Sequence, residues 1–190
     1  MGARPDPPRP LTTPAIVDAA RRVADSEGLT GLNLRRVARE LGTGQASLYR
    51  HIGGRRELMT LLAGDLASGF PLVRAEEAPV FEQVVLQWKA LRRHLLEHPW
   101  GASIIAEGEW VPDSAQPVFE HCLALLRAAG LDRAAALQTY RTLWHLLLGD
   151  LLSHHPFGHA AGESREPEEA FTWGVRSLLL GSGASPTPGT

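Results

Sequence analysis

Leu34-Arg35-Arg36-Val37-Ala38-Arg39-Glu40-Leu41-Gly42-Thr43-Gly44-Gln45-Ala46-Ser47-Leu48-Tyr49-Arg50-His51 is the stretch on which the reading of this chain turns. Leu34, Val37, Ala38 and Leu41 recur at three- and four-residue steps and so share one face of a short helix. Asn33 stands before them as an N-cap, and Gly42 follows as a stop. A second short helix, from about Gln45 to Ile52, turns Leu48 and Ile52 to one side. Two short helices joined by a Gly-containing turn form a helix-turn-helix, whose second helix is placed to enter the major groove of DNA. Small Ala38 lets the pair cross closely, and Leu41 and Leu48 seal the corner. The outward side of the second helix then shows Gln45, Ala46, Ser47, Tyr49, Arg50 and His51. Gln can pair with an adenine edge, Ala can touch a thymine methyl, and Arg can pair with guanine or a phosphate.

Outward from this stretch the apolar spacing stays helical. Upstream, Thr13 reads as an N-cap with Pro14 at the first helical position. Ile16, Ala19, Ala20, Val23 and Ala24 then lead to Gly28 as a stop. Downstream, Gly53-Gly54 breaks the chain, and Arg55 to about Phe70 restarts it until Pro71. Further helices are expected at about 79–97, 100–107, 117–129, 132–153 and 166–180. No alternating strand pattern and no internal repeat occurs, so the expected fold is all-α. The expected organisation is a three-helix helix-turn-helix domain over 11–54, a bridging helix over 55–70 and a helical domain over 71–181. The Pro-rich residues 1–10 and the Gly, Ser, Pro and Thr of 182–190 cannot bury a core and are expected to be disordered tails.

Charge divides the chain the same way. Over 190 residues the formal net charge is −2, which taken whole disfavours a broadly basic nucleic-acid binder. Residues 1–66, however, hold ten Arg against seven acids, and the remainder nine basic against fourteen acidic residues. A basic first third joined to an acidic remainder suggests an anionic partner at one end and a different task at the other. Lys89 is the only lysine; codon bias and selection for bidentate phosphate contacts both account for the preference for Arg. Cys122 is the only cysteine, which excludes an intrachain disulfide and a Cys-based zinc site. No apolar run approaches the roughly 20 residues that span a bilayer, and residues 1–10 are no secretory signal, so a cytoplasmic location without a membrane partner is expected.

The helix-turn-helix stretch sits inside a longer pattern: Ala19-Ala20, Glu27-Gly28-Leu29, the Leu34–Leu41 helix, Gly42, Ser47-Leu48-Tyr49-Arg50-His51-Ile52 and Arg55-Arg56-Glu57-Leu58. In order and spacing, residues 13–66 resemble the DNA-binding domain of tetracycline-repressor-type (TetR family) regulators. The resemblance implies that Arg35 and Gln45 reach bases with Ala46 beside them, that Tyr49 and Arg50 lie against phosphates, and that Arg55 holds another phosphate. It implies that Ser47 and His51 complete the recognition face. Ala46 and Arg50 replace a bulkier imino and an aromatic residue of that type, so the operator sequence does not carry over. Read without the resemblance, Arg22, Arg36 and Arg39 can equally solvate helix faces, and Tyr49 can be a core aromatic with a wet hydroxyl.

The second half resembles the family more weakly, through His98-Pro99-Trp100-Gly101-Ala102 and the helix pair near 132–153 and 166–181. The resemblance implies a homodimer in which the last two long helices pair with their copies. Leu143, Leu147, Leu151, Phe171, Val175 and Leu178 have the spacing for that seam, and an intrachain core would use the same spacing. A small-molecule effector is expected among Gln87, Trp88, Leu91, Trp100, Ile104, Ile105, Trp110, Tyr140, Trp144 and His145, a largely aromatic and apolar set. Gln87 falls where the family has a drug-contacting amide. Ile105 and Ser153 stand where metal-drug ligands belong, so a different apolar ligand is expected. His154, His155, His159 and Glu163 suit a metal-responsive alternative. No nucleophile motif supports an enzyme, and a small-molecule binder without DNA binding remains a second alternative. The expected function is a ligand-responsive repressor that binds a double-stranded palindromic operator and needs no cofactor.

Overall fold

The computed structural model describes residues 11–110, 112–152 and 166–186. Its helices are α1 (Thr13–Gly31), α2 (Leu34–Glu40), α3 (Gln45–Leu48), α4 (Arg55–Ser68), α5 (Val80–Glu97), α6 (Pro99–Glu107), α7 (Gln116–Ala128), α8 (Arg133–Leu152) and α9 (Pro167–Gly181). A 3-10 turn at Asp113–Ala115, not foreseen in the sequence, precedes α7. Among the described residues there is no strand. The chain forms two compact units that divide between Leu62 and Ala63, inside the expected bridging helix rather than at its start.

In the first unit the local signals act nearly as expected. Thr12, not Thr13, caps α1: its carbonyl accepts from Ile16 N at 3.0 Å and its hydroxyl from Ala15 N at 3.3 Å. Gly28 interrupts α1 at φ +68°, and one more turn runs on to Gly31. Asn33 caps α2 by accepting from Arg36 N at 2.9 Å. At its other end Gly42 N donates to Arg39 O and Thr43 N to Ala38 O, at 3.1 and 2.9 Å. That paired closure needs a left-handed residue, and Gly42 supplies it at φ +64°. α3 is shorter than the expected 45–52. Gly44 offers no side-chain cap, and Tyr49–His51 tighten into a turn with His51 N on Leu48 O at 2.9 Å. Ile16, Ala20, Val23, Val37, Leu48, Ile52, Leu58 and Leu62 form the buried apolar set of this unit.

In the second unit α5 packs against α6, α7, α8 and α9. Trp88, Leu91 and Leu95 of α5, Leu126 of α7, Leu143 and Leu147 of α8, and Phe171 and Val175 of α9 are all buried. Four residues expected at a dimer seam therefore belong to the core of a single chain: Leu143, Leu147, Phe171 and Val175. Leu151 and Leu178 are half-buried. The physical reason is that helix pairing within a chain and between chains demands the same apolar spacing. Three ion pairs link these helices: Arg176 donates twice to Glu82 at 2.6 Å, Lys89 pairs with Glu168 at 2.9 Å, and Arg92 with Asp150 at 2.7 Å. Partly exposed pairs contribute little, so packing dominates. Part of the second expected tail is instead ordered: Ala184 is buried, its N–H closes α9 on Leu179 O, and Ser185 N donates to Ala129 O, both at 3.0 Å. Residues 1–10 and 187–190 lie outside the described residues.

α6 sits close to the second half of α4 because position 101 has no side chain. A Cβ there would lie 2.7 Å from Leu66 Cδ2 and 3.1 Å from Leu95 Cδ2. Gly101→Ala is expected to overpack this contact and cost about 1–3 kcal/mol. Gly42→Ala meets no atom within 4 Å but is expected to cost about 1–2 kcal/mol through its left-handed backbone. Urea unfolding of both variants checks these values.

His94 of α5 contacts the end of α4, with Nε2 3.2 Å from Leu66 O and its ring edge-on to Phe70 at 5.3 Å. Burial lowers its pKa from the usual 6.5, with the Leu66 carbonyl opposing that shift and nearby His98 adding to it. The folded state thus favours the neutral ring. Stability is full above about pH 6.5 and is expected to fall as pH drops below it, because the unfolded chain takes up the proton more readily. His94→Gln is expected to flatten this part of the pH profile in urea titrations between pH 7.5 and 5.

Candidate nucleic-acid interface and apolar cavity

The first unit presents one face suited to an anion. Gln45, Ala46, Tyr49, Arg50 and His51 are exposed, as is Arg35 in the first turn of α2; Ser47 is half-buried. Tyr49 is 53% exposed, which removes it from the core. Its hydroxyl accepts from Gln45 Nε2 at 3.3 Å, and Arg50 donates to Ser47 Oγ at 3.3 Å, so the polar groups of the turn hold one another in place. Arg55 donates to the Leu32 carbonyl, which ties the head of α4 to the segment before α2. Glu57 accepts from Gly53 N at 2.5 Å and closes the linker.

No acid occurs between Leu41 and Arg56, a span that holds Arg50, Arg55 and Arg56. Two acids of this unit, Glu27 and Glu40, are engaged by arginines. Arg36 lies between Glu27 at 2.7 Å and Glu40 at 3.1 Å, and Arg22 reaches Glu40 at 3.3 Å. Those hydrogen bonds raise the Arg36 pKa and hold the Glu40 carboxyl below its usual range. Of the arginines left open by the sequence, Arg22 and Arg36 thus serve the protein's own acids, while Arg39 is exposed.

The second unit holds a half-open apolar cavity of about 200 Å³. Ile104, Ile105, Trp110, Tyr140 and Trp144, five of the expected ligand residues, line it together. The other five do not. Trp88, Leu91 and Trp100 are core residues, His145 is exposed, and Gln87 is wholly buried. The Gln87 amide donates to Pro71 O and accepts from Val73 N, each at 2.8 Å, which satisfies it on the backbone of the segment after α4. Sequence reasoning missed Ala63, Leu66, Ala67, Phe70, Ala115 and Val118. Ala63 and Ala67, one turn apart on a helix read only as a bridge, were the available signal: small residues facing large aromatics leave a hollow.

The aromatic wall is a connected set of edge contacts. Tyr140 meets Phe119 at 5.2 Å, Trp88 at 6.0 Å and Trp144 at 6.3 Å between ring centroids, and Trp144 meets Phe70 at 6.0 Å. Burial pushes the Tyr140 phenol up to about 12 against a lowering hydrogen bond from Trp144. Burial likewise pushes the Cys122 thiol up to about 12. Both groups stay protonated at neutral pH and are poor nucleophiles. Behind the wall, Trp88 Nε1 is buried and finds no partner among the described residues. Two wider hollows, about 620 and 820 Å³, bear Glu76 and Glu77 in one case and the already paired Lys89, Arg92, Glu168 and Arg176 in the other.

Among the described residues no three His, Cys, Asp or Glu side chains gather to hold a metal ion. His154, His155, His159 and Glu163 lie outside them. No described helix is long and apolar enough to cross a membrane.

Comparison with known proteins places both parts in one family. Residues 16–61 match the family described as bacterial regulatory proteins, tetR family, and residues 79–177 the tetracyclin repressor-like C-terminal domain. The HTH-type transcriptional repressor DrrR1 of Streptomyces coeruleorubidus is 37% identical over 142 residues, 68% of this chain and 49% of that relative, so the match spans about half of the relative's length. ActR of Streptomyces coelicolor in complex with actinorhodin superposes with a TM-score of 0.78 at 26% identity, covering 92% of this chain and 97% of that one. BioQ with its double-stranded DNA operator gives 0.71 at 26% identity, covering 91% and 98%. From the acid-free face around α3 to the cavity between α4, α6 and α8, the chain belongs to the TetR family of bacterial regulatory proteins.

Proposed function

We propose that this regulator is a homodimeric, cytoplasmic transcriptional repressor, released from a palindromic operator by a small, mostly apolar effector. The observation that carries the proposal is the pairing of two features in one chain: an exposed polar face on α3 without acids, and a half-open apolar pocket. The ActR and BioQ structures, holding actinorhodin and operator DNA respectively, support it. In this reading Gln45 and Arg35 read bases with Ala46, Ser47 and His51 beside them, while Tyr49, Arg50 and Arg55 hold phosphates.

Regulation is linkage between the two sites. An effector that binds better to a conformation with mismatched recognition helices lowers DNA affinity, and DNA lowers effector affinity by the same factor. α4 is the proposed lever, since it begins in the first unit and supplies Ala63, Leu66 and Ala67 to the cavity in the second. Chemistry on a substrate is not part of this reading, since the two potential nucleophiles near the cavity are held protonated. The dimer forms through the outer faces of α8 and α9, where Leu152, Trp173 and Leu180 are exposed at 41, 59 and 55%. Exposed large apolar groups are what such a surface offers a partner.

Binding to DNA from the chain's own promoter region, followed by fluorescence anisotropy at several salt concentrations, tests the proposal. Arg50→Ala and Arg55→Ala are expected to weaken binding to all sequences and to reduce the salt slope by about one each. Gln45→Ala is expected to lose about 1–3 kcal/mol of discrimination at one base pair and to leave the slope unchanged. Unaltered slopes in both arginine variants would remove the phosphate assignments. Trp173→Glu is expected to give a folded monomer in sedimentation that binds a half-site weakly; a persisting dimer would move the interface elsewhere.

A further inference from the structure

The chemistry of the cavity wall narrows what can occupy it. An apolar cavity of about 150 Å³ lined by aliphatic and aromatic side chains takes up benzene. The present one, at about 200 Å³, has room for a second fused ring. Among the described residues its lining contains no carboxylate, amine, guanidinium or imidazole. A charged ligand, or a cation carried by a chelating ligand, would enter without a counter-charge and lose several kcal/mol of hydration without return.

Shape adds a second restriction. Ala63 and Ala67 give α4 a smooth strip, while Phe70, Trp110, Tyr140 and Trp144 contribute rings. Rings pair best with other rings in edge-to-face or offset arrangements. Polarity adds a third. Tyr140 carries the one hydroxyl among the described lining residues. A phenol hydroxyl can donate as well as accept. The Trp110 indole in the wall already donates to Glu107 at 3.2 Å.

We infer that the cavity takes an uncharged, flat, two-ring aromatic molecule bearing one hydrogen-bond acceptor, a carbonyl or ring oxygen, which receives the Tyr140 hydroxyl. This inference rests on the cavity being the effector site. The acceptor gives orientation, the rings give affinity, and the lack of charge gives selectivity.

Three probes of one size test it on the full-length protein: coumarin, neutral with a carbonyl; naphthalene, neutral without one; and 2-naphthoate, charged. Binding is followed through the indole N–H signals of Trp110 and Trp144 by NMR. Coumarin is expected to saturate and shift both signals. Naphthalene is expected to bind about 3–10-fold more weakly, the worth of one neutral hydrogen bond. 2-Naphthoate is expected to bind at least about 50-fold more weakly, as an unpaired buried charge requires. Tyr140→Phe is expected to bring coumarin down to the level of naphthalene and leave naphthalene unchanged, a pattern that a misfolded variant would not give. The inference is overturned if 2-naphthoate binds as tightly as coumarin, if coumarin keeps its advantage in Tyr140→Phe, or if no probe moves either indole signal. If coumarin binds as expected but leaves promoter-DNA affinity unchanged, the ligand class stands and the effector reading of the cavity falls.

Discussion

Enclosure of α5 by α6, α7, α8 and α9 is the constraint from which the second unit follows. A helix surrounded on so many sides must be apolar nearly all round, or else satisfy every polar group it buries. α5 does both. Trp88, Leu91 and Leu95 fill space, and Gln87 is kept only because the backbone at Pro71 and Val73 takes up its amide. That bond fixes where the chain goes after α4, and so fixes Phe70 and the cavity beside it. The charged residues of α5 lie at the margin of this enclosure and meet their partners on α8 and α9.

The same accounting separates the two faces of the first unit. Glu27 and Glu40 would repel a phosphate if left alone, yet Arg36 and Arg22 engage them. The arginines spent there are unavailable to an anion, whereas Arg50 and Arg55 donate hydrogen bonds to Ser47 and the Leu32 carbonyl. Whole-chain charge hides this distinction, because a guanidinium counts the same whether it neutralises a carboxylate of its own chain or faces solvent.

Most of the fold was legible in the sequence because its signals are local: Asn33 before α2, Gly42 after it, Gly53-Gly54 before α4, and the three- and four-residue apolar steps throughout. The exposure of the polar side chains around α3 was legible for the same reason, since one short helix and its turn carry them. The cavity was only half legible. Trp88 and Trp144 have the same composition and similar spacing, but one is sealed behind the other, and only three-dimensional packing decides which meets the hollow. Gln87 illustrates the limit most clearly, as its partners are backbone atoms that no side-chain pattern announces. The seam residues failed in the opposite sense. Leu143, Leu147, Phe171 and Val175 have the right period for pairing helices, and a period does not say whether the partner helix belongs to the same chain.

Cys122 has a practical consequence beyond the fold. It is the only thiol in the sequence, it lies in the buried face of α7, and its environment keeps it protonated. A thiol without thiolate character or access neither alkylates nor oxidises readily. The native protein therefore offers little background for thiol chemistry. A cysteine introduced on an exposed position such as Ala46 or Ser177 would be the sole addressable group, so reporter dyes and spin labels could be placed on either unit without first removing the natural residue.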